Sequence, residues 1–198
     1  MTLFVVGAIL FGAVLGHWFV PEAVTVHLDF VTTAALCVIL VGVGIDMGSR
    51  KEMWGRLWQM GAKALLIPIL VAVGSLGGSV IGGAIAGMPF NESMAIGAGF
   101  GWYSLSGVLL AKIYSVETGA LAFLTNVIRE LISFLLIPLL AARAGYMAAV
   151  APGGATTMDT TLPLIARVTD AETSLVALVN GMVLSSLVPV LVPLFINL

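Results

Sequence analysis

Long apolar runs alternate with short polar links along the whole chain. Runs at 2–20, 31–48, 64–87, 94–114, 117–142, 147–168 and 172–196 each approach or exceed the ~20 residues that a bilayer-crossing helix needs. The links fall at 21–29, 48–63, 88–92, 115–117 and 167–172. This pattern predicts an all-α integral membrane protein with about seven transmembrane segments, residues 1–198 forming a single transmembrane domain.

Two of the runs are irregular. Residues 97–107 contain four glycines and two serines, and residues 151–163 contain Pro152, Gly153, Gly154, Asp159, Pro163 and four threonines. Gly and Pro weaken a helix, and backbone groups freed in hydrocarbon are tolerated only inside protein or along a wet cavity. Both stretches therefore read as broken or re-entrant elements, of the kind transporters aim at substrates and ions. Counted as full crossings, the two run in the same direction, which an inverted repeat would not give; one of them turning back as a hairpin would change that count. Gly74, Gly78 and Gly82, at spacing four, read instead as a helix-packing stripe.

Composition agrees with the pattern. Only 9% of residues are charged and the mean hydropathy is +1.15, against about 25% charged in soluble domains. Arg50, Lys51, Arg56 and Lys63 cluster in one link, which the positive-inside rule places in the cytoplasm. With seven crossings the N-terminus is inside and the C-terminus outside; Lys112 and Arg167 fall inside and Arg143 outside. Trp54 and Trp58 flank the basic link as interfacial anchors. Cys37 stands alone and reads as a packed thiol. The first run lacks the basic start of a cleavable signal. No basic arm suggests nucleic acid, no metal-ligand spacing occurs, and no cofactor is implied.

Candidate chemistry lies at membrane depth. Asn126, Glu130 and Ser133 follow i, i+4, i+7 spacing and share one helix face, with Arg129 beside it. Asp159 sits in the second irregular stretch. A charge at the bilayer centre costs at least about 2.5 kcal/mol, so the two carboxylates mark a polar pathway, although an architectural Arg129–Glu130 pair is the plainer alternative. Trp102, Tyr103, Ser104 and Ser106 of the first irregular stretch, and Thr156, Thr157 and Thr160 of the second, are the accompanying candidates for substrate or ion binding. Asn180, mid-run, serves either a helix–helix hydrogen bond or the same cavity. Asp46 reads as an end-of-helix partner of Arg50. Hydrolytic chemistry fails: His17 and His27 lie too near one end to activate Ser104 or Ser106, and Asp46 is too shallow to face Asp159.

The strings Gly99-Phe-Gly-Trp-Tyr-Ser-Leu-Ser-Gly107, Asn126-Val-Ile-Arg-Glu130 and Gly153-Gly-Ala-Thr-Thr-Met-Asp-Thr-Thr-Leu-Pro163, in that order, resemble the lysine exporter LysO family; 41–47 is similar more loosely. The resemblance implies export of L-lysine and its thia analogue across the cytoplasmic membrane, and distant kinship with cation/proton antiporter-like inverted-repeat folds. It maps the family's intramembrane acids onto Glu130 and Asp159. It also implies that this chain corresponds to the carboxy-terminal half of longer members, completed by a small companion membrane subunit or a second copy. The expected mechanism is exchange of lysine for an inbound proton, with sodium as the other candidate ion. The substrate carboxylate would then meet a half-helix N-terminus or Arg129.

Overall fold

A computed structural model describes residues 62–198 continuously and, before them, only isolated positions between 11 and 49, each of them helical. The chain divides into two compact units, 1–46 and 47–198. Asp46, Arg50, Trp54, Trp58, His17 and His27, with most of the first two apolar runs, lie outside the described residues. Cys37, expected to be packed, is a free and exposed thiol.

The second unit is all-helical among its described residues: α1 (Ala62–Ile85), α2 (Phe90–Gly97), α3 (Tyr103–Ile113), α4 (Val116–Arg143), two short 3-10 helices (Tyr146–Val150 and Gly154–Met158), α5 (Leu162–Val168) and α6 (Ala171–Ile196). Only α1, α4 and α6 are long and apolar enough to cross a membrane. Their starts and stops follow from sequence. The Ser115 hydroxyl accepts from Thr118 N and opens α4, and the Asp170 carboxylate accepts from Thr173 N and opens α6, each satisfying one of the orphan N–H groups of a first helical turn. The α6 helix is the buried centre, whereas α1 turns Leu65, Leu66, Ile69, Leu70, Val73, Ile81 and Ile85 outward. Such a girdle suits lipid and not water.

The two irregular runs do not cross. As one continuous helix, residues 92 and 114 would stand about 33 Å apart at about 1.5 Å per residue. Instead the Tyr114 hydroxyl donates to Glu92 Oε1 at 3.2 Å and the Thr118 hydroxyl to Glu92 Oε2 at 2.9 Å. The α2–α3 segment therefore goes in, turns at 98–102 and returns to the end where it entered. The reversal is made by Phe100 (φ 47°) and Gly101 (φ 102°). The run 146–168 does the same from the opposite end. Ala149 and Val150 on its inbound limb and Ile165 on its return limb share one core cluster with Ile137 and Ala141 of α4 and Ala177 of α6.

About seven transmembrane segments were expected, two of them broken or re-entrant; counted as crossings these two ran in the same direction, and one turning back as a hairpin was the alternative. The described part contains three helices long and apolar enough to cross and two hairpins that enter from opposite ends. The expectation that Lys112 lies with the basic link and Arg143 opposite it is corrected accordingly: Arg143 ends α4 on the side where α1 begins, and Lys112 lies at the other end. Sequence length misleads here because a hairpin of two short apolar helices occupies as many residues as one crossing.

Candidate functional site

The tips of the two hairpins meet. Phe100 O accepts a hydrogen bond from Ala155 N at 2.8 Å. A Cβ on Gly154 would overlap Phe100 O, and Gly154 itself has φ 59°; only a residue without a side chain combines this backbone conformation with so close an approach. The two breaks form one irregular junction in the middle of the unit.

Side chains from the crossing helices satisfy the backbone groups that the breaks release. Asn126, 3% exposed on α4, accepts from Gly101 N at 2.7 Å and donates to Ala122 O (2.9 Å), Ile96 O (3.4 Å) and the Ser106 hydroxyl (3.5 Å). Asn180, fully buried on α6, donates to Gly154 O and to the Thr157 hydroxyl, both at 3.0 Å. Gly181 beside it lets α6 touch the second 3-10 helix, since a Cβ there would run into Met158 and Ala155 O. Hydrogen bond and cavity roles were both open for Asn180; its amide nitrogen bonds to the hairpin.

Arg129 reaches the inbound limb of the second hairpin. Its Nε donates to Pro152 O at 3.1 Å, Nη2 to Ala151 O at 3.5 Å and Nη1 to the Ser75 hydroxyl at 2.7 Å; Ser75 in turn donates to Gly97 O at 3.1 Å. A single chain of polar contacts thus runs from the first hairpin through α1 and α4 to the second. Ser75 was not singled out in the sequence, because a serine in a glycine stripe reads as packing. Glu92 and Thr118, which hold the mouth of the first hairpin, were missed because their 26-residue separation carries no local signal.

The predicted face of α4 exists. Asn126, Glu130 and Ser133 are all buried, Glu130 at 1% exposure, and the Ser133 hydroxyl donates to Glu130 O at 2.6 Å. Asp159 differs. It is exposed, ends the second 3-10 helix, and accepts from Thr160 N and from the Thr160 hydroxyl at 3.2 Å. Thr156 and Thr157 are buried and bond back to Gly153 O and Gly154 O, with Thr156 also 3.3 Å from the Thr161 hydroxyl. Ser106 is buried and donates to Trp102 O at 2.8 Å, and Ser104 is exposed. Trp102 and Tyr103 are half-buried, the Tyr103 ring edge-on to Phe123 at 5.3 Å. Asn126, Ser106, Arg129, Asn180, Thr156 and Thr157 therefore gather around the tips.

Two cavities adjoin this junction. One of about 490 Å³ lies between α1, α2 and α4 and is lined by Gly74, Gly78 and Gly82 of the predicted packing stripe together with Ser75, Ser79, Ser93, Thr125, Asn126 and Arg129. The other, about 370 Å³, continues along α4 past Ile132, Ser133 and Leu136 to Pro152. Neither carboxylate lines either of these two cavities. Among the described residues no cluster of His, Cys, Asp and Glu could hold a metal.

Comparison with known proteins bears on this geometry. A family model described as "Lysine exporter LysO" matches residues 6–196. The chain is 35% identical over 169 residues to "Lysine exporter LysO" of Escherichia coli, covering 85% of this chain and 56% of that protein. It is 32% identical over 195 residues to a "Putative lysine exporter" of Haemophilus influenzae, covering 95% of this chain and 94% of that one. The chain thus spans little more than half the length of the first relative. No solved structure matches. With a membrane-type helical unit, two hairpins meeting at polar tips, and this breadth of match, the chain belongs to the lysine exporter LysO family.

Proposed function

We propose that this chain carries out the export of L-lysine across the cell membrane, together with a companion membrane subunit or a second copy, and that a proton moves inward in exchange. The observation that carries the reading is the contact of the two hairpin tips, Phe100 O with Ala155 N, in a unit whose crossing helix α4 also buries Glu130. Irregular backbone at membrane depth, entering from opposite ends and meeting midway, is the arrangement by which secondary transporters expose one site alternately to two sides. The family and the names of its relatives supply lysine.

Orientation follows from charge. If the end holding Lys63 is cytoplasmic, Arg143 and Arg167 join it, and Lys112 lies outside. Six cations inside against one outside satisfies the positive-inside rule as well as seven crossings did, because Lys112 and Arg143 simply exchange sides. The C-terminus is again outside. The second hairpin then opens to the cytoplasm, and its exposed Asp159 is the first carboxylate that a lysine ammonium reaches. Glu130, sealed on α4, is the carboxylate that holds either the cargo's charge or the returning proton.

The proton is the coupling ion that the energetics favour. Moving a lysine cation outward costs about 2.3 kcal/mol per 100 mV against an inside-negative potential, and one inbound proton returns the same electrical work. Sodium would return it equally, and a carboxylate serves either ion. The test is lysine counterflow in liposomes with and without a pH gradient. Glu130→Gln should abolish pH-driven export while the protein still inserts, and Asp159→Asn should raise the lysine concentration needed. Full pH-dependent export by the Glu130→Gln variant would end the proposal.

A further inference from the structure

Arg129 belongs to both cavities. The 490 Å³ cavity reaches it from the end where α1 finishes, past Gly82 and Ser93, and the 370 Å³ cavity reaches it along the α4 side from Leu136; besides Arg129 they share Thr125. The guanidinium carries five N–H donors, and Pro152 O, Ala151 O and Ser75 account for one each. These bonds pin a fixed positive charge at the junction, close enough to Gly154 that a Cβ there would strike the guanidinium. The first cavity adds the hydroxyls of Ser75, Ser79, Ser93 and Thr125 and the amide of Asn126, with no carboxylate among the described residues that line it. Its size lies within the ~300–1,000 Å³ range of small-molecule sites. Described residues that offer one cation and several hydroxyls but no acid suit a carboxylate better than an ammonium group.

We propose that Arg129, where the two cavities meet, receives the α-carboxylate of the amino-acid cargo and thereby makes the protein reject diamines. The inference rests on the lysine-export reading above and adds a rule of selection to it. The carboxylates Glu130 and Asp159 handle positive charge, which lysine and a diamine such as 1,5-diaminopentane both offer. Lysine without its carboxyl group is that diamine, so only a carboxylate-reading group separates the two. Arg suits this role better than Lys because its planar fork pairs two N–H groups with two carboxylate oxygens.

The experiment is counterflow of radiolabelled lysine in liposomes holding the full-length protein with any subunit that co-purifies, challenged with lysine, 1,5-diaminopentane and lysine methyl ester. For the wild type we expect lysine to compete on the order of tenfold to a hundredfold better than either carboxylate-blocked analogue, the range expected for one charge-assisted pair. Arg129→Gln should raise the KM for lysine by a similar factor and leave the analogues' inhibition constants within about twofold, so that discrimination collapses; Arg129→Lys should recover part of it. Equal competition by diaminopentane in the wild type overturns the inference and needs no variant that might misfold. So does an Arg129→Gln protein that weakens lysine and diamine alike, which marks a purely structural arginine. No lysine counterflow in the wild type sinks the export reading itself, a distinct outcome.

Discussion

Each hairpin tip depends on a few atoms, and the dependence differs between residues of the same type. Gly154 and Gly145 both have positive φ, 59° and 96°. A Cβ on Gly154 would strike Phe100 O and the Arg129 guanidinium, while a Cβ on Gly145 would meet nothing within 4 Å. Gly145→Ala should therefore cost only the backbone strain, about 1–3 kcal/mol, since φ 96° with ψ 161° is a region that essentially only glycine occupies. Gly154→Ala adds overpacking of about 1–3 kcal/mol and displaces the tips. Thermal melting of the two variants in detergent should show the larger loss at Gly154, and only that variant should also lose lysine transport. A Gly154→Ala protein as stable as the wild type would contradict the tip-to-tip contact. The sequence showed which residues were polar in the apolar runs, but not what they hold. Arg129 next to Glu130 suggested an ion pair, yet its guanidinium donates to the Ser75 hydroxyl and to the carbonyl groups of Ala151 and Pro152, the latter two freed by a break in another segment.

At the level of elements, helix starts were legible and helix directions were not. Ser115 and Asp170 are of the residue types that cap helices, and the broken stretches 97–107 and 151–163 were visible from Gly and Pro. Whether a broken run crosses or turns back depends on Glu92 finding Thr118 and on Val150 finding Ile165, which no periodicity reports. Ser115→Ala should cost about 1 kcal/mol through loss of the α4 cap, measured by chemical denaturation in mixed micelles. At α6, the Thr173 backbone N–H, and then its side chain, hold the Asp170 carboxyl below the ordinary value of 3.8. The folded state therefore favours the ionised acid. This stabilisation is complete above the ordinary value and disappears as pH falls through the lowered one. The difference in melting midpoint between the wild type and Asp170→Asn should accordingly be present at pH 7 and shrink as pH drops below about 4. A gap that widens in acid would show that the cap does not act through its charge.

For the molecule as a whole, the topology is directly testable. In a Cys37→Ser background, single cysteines placed at Pro89 and Ser115 flank the first hairpin, and single cysteines at Gly145 and Thr169 flank the second. An impermeant thiol reagent should label 89 and 115 from one face of the membrane and 145 and 169 from the other. Opposite-face labelling of 89 and 115, and of 145 and 169, would restore the seven-crossing count. The all-helical membrane class was legible in composition alone. The two broken stretches were legible as well, with a re-entrant hairpin among their readings; that both fold back was not, because apolar length measures residues spent in lipid and is blind to their direction.

The order of the side chains that hold the hairpins bears on how the protein is made. Gly101 is held by Asn126 and Gly154 by Asn180, residues 25 and 26 positions downstream. A chain emerging N-terminus first presents each tip to the insertion machinery before its holding helix has been synthesised. Bare amides cannot wait in lipid at a cost of several kcal/mol each. Biogenesis must therefore retain each re-entrant segment in a wet or chaperoned setting until the following helix arrives: with the ribosome stalled so that the first tip has emerged and α4 has not, a cysteine placed at Gly99 should still react with a water-soluble thiol reagent, whereas stalling after α4 has emerged should protect it.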